Sequence, residues 1–334
     1  MDISKLGEFV LISRLTKDFK NTQPSTLKGI GDDAAILNYG NTALAVTTDM
    51  LAEGIDFDLT YVPLQHLGYK AAIVAFSDLY AMNAIPRQLL VSIAVSAKFS
   101  VEALERLYYG LKLACNRHCV DLVGGDTAPS VTGLMINVTA IGEAHPEKIT
   151  YRHTAQKGDL ICVSGNLGAA YMGLQVLERE KKMFEDDPTM QPQLDNYRYV
   201  VGRQLKPEAR RDMVHLLASA GLQPSSMIDI SDGLSSDLLH ICTASGTGCE
   251  IYYHKIPIAD ETVAAAGEFY LEPLITALNG GNDFELLFTI PVKDYDKIVS
   301  SEDISIIGYI TEKDEGCRLA AENGTRIEIK AQGW

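Results

Sequence analysis

The stretch GIGDDAAIL, residues 29–37, sets two adjacent aspartates, Asp32 and Asp33, between glycines and an apolar run. Adjacent carboxylates repel each other, and strands are poor in Asp, so the pair needs a reason beyond local structure. We interpret the stretch as the start of a strand, where neighbouring side chains point to opposite faces of the sheet. On this interpretation the two carboxylates need not share one site.

Five more segments place an Asp beside Gly, Ser, Thr or Asn. They are VTTDMLAEG (46–54), FSDLYAM (76–82), VGGDTAP (123–129), DISDGLSSD (229–237) and GGNDFELLF (280–288). Taken singly, most have a structural explanation, because these residue types are typical of turns and helix caps. Asp78 is harder to explain in this way. It lies in an apolar helical stretch, where a buried carboxylate must be paired or bound to a metal.

Together the six segments indicate a cation site, because oxygen ligands without Cys or His clusters favour Mg²⁺ or Ca²⁺. The EF-hand spacing, the GxxxxGK[ST] phosphate loop and the protein-kinase motifs are all absent from the sequence. GNLGAAYMG (165–173) is only distantly similar to a dinucleotide-binding loop, and we interpret it as an ordinary strand-to-helix turn. The pattern therefore favours nucleotide phosphates that are held mainly through metal ions.

Composition and charge restrict the class of protein. The 334 residues include 29 basic and 44 acidic side chains, a formal net charge of −15, which argues against binding to a nucleic-acid backbone. The N-terminus lacks a signal-peptide pattern, and the apolar stretch 67–85 carries Lys70 and Asp78, so a core helix is expected there rather than a membrane span. Cys115 and Cys119 have the spacing to share a metal, but no second pair follows. We expect reduced cysteines in a cytoplasmic protein.

The chain length predicts two domains. Apolar spacing predicts helices at 7–19, from Pro63 to about Ala84, from a Ser100 cap to about His118, and from Pro207. Predicted strands mix with helices in both halves, so we expect an α/β or mixed α+β fold. The polar connector 145–159 puts the boundary near residue 147, giving an N-terminal domain at 1–147 and a C-terminal α/β domain at 148–334. The charged stretch 181–196 is expected to be a surface excursion.

In their order along the chain, the six segments resemble those of the thiamine-monophosphate kinase family, part of the aminoimidazole-ribonucleotide-synthetase-like superfamily. The resemblance runs from GEFVLISRL (7–15) to the terminal QGW (332–334). It implies a kinase that converts thiamine phosphate to thiamine diphosphate, the last step in making that compound, with ATP as co-substrate and several Mg²⁺ ions. It also implies a homodimer formed through the N-terminal nucleotide- and metal-binding domain, with the C-terminal domain closing the site.

The resemblance assigns roles to individual positions. The implied metal ligands are Asp33, Thr47, Thr48, Asp49, Asp78, Asp126, Asp229 and Asp232. The implied nucleotide contacts are Tyr109, Gly125, Asp126, Arg152 and Ser231. Without the family match, Tyr109 would be interpreted as a half-buried helix tyrosine and Arg152 as a solvated linker charge. The resemblance assigns no metal to Asp32, which we expect to act as a cap, to form a turn or to support its neighbour.

Three implied substrate-binding positions depart from the family pattern. Asp56 stands where the family usually has a substrate-contacting His, and Asn282 stands where it usually has Glu. Trp334 matches the family's C-terminal aromatic residue, but the few residues that usually follow it are missing. With Asp56 in place of His, a possible positive charge beside the acceptor phosphate is lost. With Asn282 in place of Glu, a negative charge near the cationic thiazolium ring of thiamine is lost.

The implied reaction needs no nucleophile or general base from the protein. A phosphate monoester has a second pKa of about 6 and is largely a dianion at neutral pH, so the enzyme must mainly position and neutralise charge. We expect direct in-line transfer without a phosphoenzyme. Two alternatives stay open: a kinase of the same build with another phosphorylated acceptor, and a non-catalytic dimer that binds cations or nucleotide.

Overall fold

The computed structural model describes residues 8–331, which form two β-sheets with helices packed against them. The helices are α1 (Glu8–Thr16), α2 (Leu64–Ala81), α3 (Val101–His118), α4 (Ala169–Asp186), α5 (Arg198–Leu205), α6 (Arg211–Ser219), α7 (Leu234–Ser245), α8 (Asp260–Glu268) and α9 (Pro273–Asn279). The strands are β1 (Thr26–Lys28), β2 (Ala35–Tyr39), β3 (Thr42–Ala52), β4 (Ile85–Ser96), β5 (Asp121–Ser130), β6 (Met135–Ala144), β7 (Leu160–Ser164), β8 (Ser226–Asp229), β9 (Gly248–Tyr252), β10 (Leu286–Ile290), β11 (Ile304–Thr311), β12 (Cys317–Ala320) and β13 (Arg326–Glu328). The boundary predicted near residue 147 falls between the two sheets.

The N-terminal sheet has the strand order β1-β2-β3-β6-β4-β5. Neighbouring strands are antiparallel except β4 and β5, which are parallel, so the sheet is mixed as predicted. β5 is an edge strand, and nearly all of its residues are exposed. Leu122 and Val123 on this strand are 46% and 56% exposed. Unpaired backbone groups and apolar side chains therefore lie together at one edge of the sheet. Such an edge can pair with a strand of another chain.

Helices α2 and α3 pack with their backbones in contact. A Cβ atom at Gly68 would lie 1.9 Å from the carbonyl oxygen of Leu107, and one at Gly110 would lie 1.9 Å from that of Gln65. Only glycine fits at both positions, and the close approach helps to bury most of α2. The prediction of a core helix here is confirmed. None of the helices in the described part of the chain is long and apolar enough to span a membrane.

The second sheet has the strand order β13-β12-β9-β11-β7-β10-β8. Its central strands are buried on both faces, and alternate residues face different cores. Phe288 and Met227 pack in the same core as residues of α2, including Phe76, whereas Leu287 packs in a second core with Leu238 of α7. One hydrophobic core therefore continues from the N-terminal domain onto one face of the second sheet.

The helix predicted from a Ser100 cap is confirmed, because the Ser100 hydroxyl accepts a hydrogen bond from the backbone N–H of Ala103 at 3.2 Å. The helix predicted from Pro207 is wrong in its start, since α6 begins at Arg211. Glu208, which lies just before α6, instead accepts a hydrogen bond from the hydroxyl of Tyr69 on α2, at 2.8 Å. The excursion predicted at 181–196 begins within α4, which continues to Asp186.

His118, at the end of α3, predicts a pH-dependent contribution to stability. Its Nδ1 lies 2.8 Å from the Tyr80 hydroxyl, and burial, together with the charges of Arg211 and Arg117, lowers its pKa from 6.5 to about 4. In the window between these values, protonation favours the unfolded chain. The free energy of unfolding should therefore fall as pH drops through that window, by on the order of 3 kcal/mol from this group.

Urea unfolding between pH 4 and pH 7 measures this effect. We expect His118→Asn to show a shallower pH slope than the unchanged chain, whatever its absolute stability. The matched control is His145→Asn, because His145 is an exposed histidine whose side chain is 59% accessible. Identical slopes for His118→Asn and the unchanged chain would contradict the assignment.

Candidate active site

Three of the predicted aspartates converge between the two sheets. Asp33 lies in the loop before β2, Asp78 lies in the last turn of α2, and Asp229 ends β8. One carboxylate oxygen of each lies within 4.8 Å of the others. This group, called the acidic triad below, joins residues that are distant in sequence and come from a loop, a helix and a strand.

Hydrogen bonds orient two members of the acidic triad. The Thr47 hydroxyl donates to Asp78 Oδ2 at 2.5 Å, and the Ser77 hydroxyl donates to Asp229 Oδ2 at 2.7 Å. Helix α2 therefore supplies one carboxylate and orients another from the second sheet. Asp49 lies two residues after Thr47 on β3, on the same face of the strand, and its charge acts on Asp78.

The carboxyl groups form a closely spaced acidic cluster, and burial and mutual repulsion disfavour their ionisation. Burial raises the pKa of Asp33 to about 8, and the charge of Asp229 adds to this rise. Burial and the charge of Asp229 raise the pKa of Asp49 to about 7, and burial raises that of Asp229 itself to about 6. The pKa of Asp78 lies well above its ordinary value for the same reasons. A bound cation would relieve this accumulated repulsion.

Arg152 supplies positive charge to this acidic cluster. Its Nη2 donates to Asp33 Oδ1 at 2.6 Å, and its Nε lies 3.5 Å from Asp32 Oδ1. The Arg152 side chain is only 13% exposed, so the alternative of a solvated linker charge is wrong. The interpretation that Asp32 and Asp33 lie at the start of a strand is also wrong. Strand β2 begins only at Ala35, and the bend before it does not alternate its side chains.

The acidic triad and its neighbours fit a hard divalent cation. Asp33 Oδ2 and Asp49 Oδ2 are buried and have no hydrogen-bond partner among the described residues. Buried carboxylate oxygens are normally bonded, so these two atoms are available as ligands. All the donor atoms are oxygens, the ligand type that Mg²⁺ prefers.

Two loops of the second domain meet beside Asp229. The backbone N–H of Asn282 donates to the carbonyl oxygen of Ser231 at 2.7 Å. Gly281 has a φ of +69°, and a Cβ there would lie 2.5 Å from that same oxygen, so the contact requires glycine. The predicted residues Ser231 and Asn282 are thus neighbours. Asp232 follows Ser231. Asp232 as a whole is exposed, but its carboxyl group is partly shielded from water, and this desolvation raises its pKa.

The side chain of Thr48 lies away from the acidic triad, and the role of this residue as a ligand stays a prediction. Its hydroxyl donates to the carbonyl oxygen of Val138 at 3.1 Å and lies 3.0 Å from the Thr139 hydroxyl. Alternation along β3 turns this side chain to the face opposite Thr47 and Asp49. The structure therefore does not bring the Thr48 hydroxyl to the acidic triad.

The predicted nucleotide residues fall into two groups. Arg152 and Ser231 lie beside the triad, whereas Gly125 and Asp126 lie on the exposed edge strand β5 and Tyr109 is a 51% exposed residue of α3. Among the described residues, no hydrogen bond or ion pair joins this second group to the triad. Asp126 Oδ1 instead accepts from the backbone N–H of Thr127 at 2.8 Å.

The substrate-side predictions have a different outcome. Asp56 is exposed, and its Oδ2 accepts from the backbone N–H of Ala52 at 2.7 Å, which closes a turn after β3. This hydrogen bond gives Asp56 a local structural function, and its contact with substrate stays a prediction. Trp334 lies outside the described residues.

Several buried acidic residues were missed by the sequence reasoning. Asp237, the last residue of DISDGLSSD, accepts from the backbone N–H of Gly233 at 3.1 Å, and burial raises its pKa well above the ordinary value, with the charges of Asp232 and Asp229 contributing. Asp283, in GGNDFELLF, accepts from the backbone N–H of Gly168 at 2.7 Å. Both lie in motifs already singled out: Asp237 is the third aspartate of DISDGLSSD, and Asp283 is the aspartate of GGNDFELLF, to which no role was assigned.

Comparisons with known proteins agree with the geometry. Residues 31–144 match the family described as AIR synthase related protein, N-terminal domain, and residues 156–319 match AIR synthase related protein, C-terminal domain. Thiamine-monophosphate kinase of Aquifex aeolicus is 34% identical over 335 residues, covering 100% of this chain and 99% of the relative. The chain belongs to the thiamine-monophosphate kinase family.

Other members of the thiamine-monophosphate kinase family support the same assignment. The enzyme of Bacillus subtilis is 30% identical, covering 98% of this chain and 99% of the relative. The solved structure of AaThiL complexed with AMPPCP and TMP has a TM-score of 0.84 at 31% identity, covering 100% of this chain and 98% of that one. The expected family, the kinase class and the mixed two-domain fold are confirmed.

Proposed function

We propose that this protein transfers the γ-phosphoryl group of ATP to thiamine phosphate, giving thiamine diphosphate. The acidic triad of Asp33, Asp78 and Asp229 carries the proposal, because it gathers oxygen ligands for cations between the two domains. Full-length relatives named thiamine-monophosphate kinase and the neighbour complexed with AMPPCP and TMP supply the substrate class. The cytoplasmic location expected from the sequence agrees with the use of ATP.

Mg²⁺ is the proposed cation, held by the triad together with Asp49. When bound, it would neutralise the negative charge of the phosphate groups. Several ions are proposed, with Asp126 and Asp232 as further ligands from the family pattern. Arg152, now bonded to Asp33, is proposed to turn its guanidinium to a nucleotide phosphate, since Arg forms paired hydrogen bonds with phosphate oxygens.

Transfer is proposed to be direct and in line. The acceptor is already an anion at neutral pH, so no residue needs to remove its proton. The protein's residues hold the two phosphates in line, exclude water and balance charge. Trapping a phosphorylated form of the protein on the reaction path would contradict direct transfer.

The protein is also proposed to act as a homodimer through its N-terminal domain. Strand β5 supports this, because it is an exposed edge that carries Leu122, Val123, Gly125 and Asp126. The nucleotide-binding roles of Gly125, Asp126 and Tyr109 remain proposals from the family pattern. A second chain seated along this edge would cover the apolar side chains.

Formation of ADP tests the proposed function. We expect ADP only when ATP, Mg²⁺ and thiamine phosphate are all present, with thiamine diphosphate formed in equal amount. Unphosphorylated thiamine and a sugar phosphate are the control acceptors. Turnover with the sugar phosphate alone would favour a kinase with another acceptor, and ATP binding without any turnover would favour a non-catalytic dimer.

A further inference from the structure

Three cysteines meet at the opposite end of α7 from Asp229. Cys242 lies in the last turn of α7, Cys249 on β9 and Cys317 on β12. Their three sulfur atoms all lie within 4.8 Å of one another. The cluster takes no part in the proposed reaction, because α7 separates it from the acidic triad. The sequence reasoning treated all six cysteines as ordinary reduced thiols.

The backbone fixes the positions of these sulfurs. Strands β9 and β12 are parallel, and Cys249 lies directly opposite Cys317 in their register. The backbone N–H of Cys249 donates to the carbonyl oxygen of Gly316 at 3.1 Å, and a Cβ at Gly248 would lie 2.5 Å from that oxygen. On the third side, the backbone N–H of Thr247 donates to the carbonyl oxygen of Cys242 at 2.9 Å. The three thiols are thus presented by a tightly packed junction.

The spacing fits a thiophilic ion. Zinc–thiolate bonds of about 2.3 Å place three sulfurs about 3.8–4.0 Å apart, which requires only a small contraction of the cluster. Among the described residues, no carboxylate or imidazole belongs to the group, so its donor set is soft throughout. Thr247 lies beside Cys242, and its buried Oγ1 offers a further polar atom.

Access to the cluster is through Cys317. Cys242 and Cys249 are buried, whereas Cys317 is partly exposed, so an ion has a route from solvent to the two inner thiols. The other pair with metal-ligand spacing in the sequence, Cys115 and Cys119, fails for lack of a third ligand in the described part of the chain. Cys115 is buried and Cys119 is exposed, and the structure brings no third ligand to them among the described residues.

We propose that Cys242, Cys249 and Cys317 form a three-thiolate binding site for a soft, thiophilic cation, with Zn²⁺ as the ion to be tested. A bound ion would tie the end of α7 to β9 and β12. It would stabilise the second domain, because ligands that bind only the folded chain raise its stability. This site is separate from the proposed Mg²⁺ site and does not depend on the proposed function.

Metal analysis of the reduced, chelator-treated full chain tests the site. The chain is incubated with Zn²⁺ in an excess of Mg²⁺, which competes for sites with oxygen ligands, and is then desalted. We expect one zinc per chain, lost in Cys249→Ser and Cys317→Ser. Cys119→Ser is the matched control and should retain zinc. Absence of zinc from the unchanged chain, or equal zinc in Cys317→Ser, would overturn the proposal.

A second measurement uses the unchanged chain, so it does not depend on how the variants fold. Alkylation of Cys317 is followed by mass spectrometry with and without Zn²⁺, and Cys119 serves as the internal reference. We expect Zn²⁺ to slow the labelling of Cys317 at least tenfold and to leave that of Cys119 unchanged. Equal slowing at both positions, or none at Cys317, would overturn the proposal.

Discussion

Asp33→Asn is expected to lower kcat for thiamine diphosphate formation about 10³-fold and to leave the metal-free chain folded. The loss follows from removing one charged ligand of the acidic triad, at a centre whose proposed work is charge neutralisation. Folding should survive because burial and the charges of Asp229 and Asp32 raise the pKa of Asp33 to about 8. A carboxylate with a raised pKa destabilises the folded chain at neutral pH, so a neutral amide removes that cost.

Asp32→Asn is the matched control, one residue away in the same loop. Asp32 Oδ1 accepts from the backbone N–H groups of Asp33 and Arg152, both at 3.3 Å, and an Asn oxygen preserves both hydrogen bonds. We expect a loss of about tenfold, as for residues that orient a metal ligand. Steady-state kinetics with saturating Mg²⁺, together with thermal unfolding of each metal-free variant, decide the question. A larger loss for Asp32→Asn would mean that Asp33 was wrongly chosen as the ligand.

Glu285→Ala is expected to lower the free energy of unfolding by about 3–5 kcal/mol, the cost of breaking a buried ion pair. Glu285 is 1% exposed and lies 2.9 Å from Nη2 of Arg203. It also accepts from Nη1 of Arg210 and, at 2.5 Å, from the hydroxyl of Ser164. Its removal leaves two largely buried guanidinium groups without their shared partner.

An exposed ion pair provides the control for this prediction. Glu143 lies 2.6 Å from Arg87, with both side chains more than 40% exposed. Glu143→Ala should cost no more than about 1 kcal/mol, because water and salt screen such pairs. Urea unfolding with a two-domain fit measures both variants. A cost for Glu285→Ala no greater than that for Glu143→Ala would show that the network contributes little.

The sequence was most informative where polarity and burial conflict. Asp78 lies in an apolar helix, so its pairing or metal binding was predictable from composition alone, and the structure places it in the acidic triad. Likewise, the six ordered acidic segments identified the family, and with it the mixed two-domain fold. These features depend on local patterns or on their order along the chain, which the sequence records directly.

The sequence was least informative about contacts between distant segments. Arg152 has the local appearance of a linker charge, and only the fold brings it within 2.6 Å of Asp33. The interpretation of Asp32 and Asp33 depended on where β2 begins, and the strand begins only after both of them, at Ala35. The grouping of Cys242, Cys249 and Cys317 depends on the pairing of β9 with β12, which no local pattern specifies.

Cation binding measured in the presence of AMPPCP tests the central claim most directly, because it examines the acidic triad without turnover. Mn²⁺ serves as the probe for Mg²⁺, and equilibrium dialysis gives the number of ions bound per chain. We predict that Asp78→Asn binds at least one ion fewer than the unchanged chain while the Asp56→Asn control binds the same number. Equal Mn²⁺ binding by Asp78→Asn and the unchanged chain would contradict the acidic triad as the cation centre.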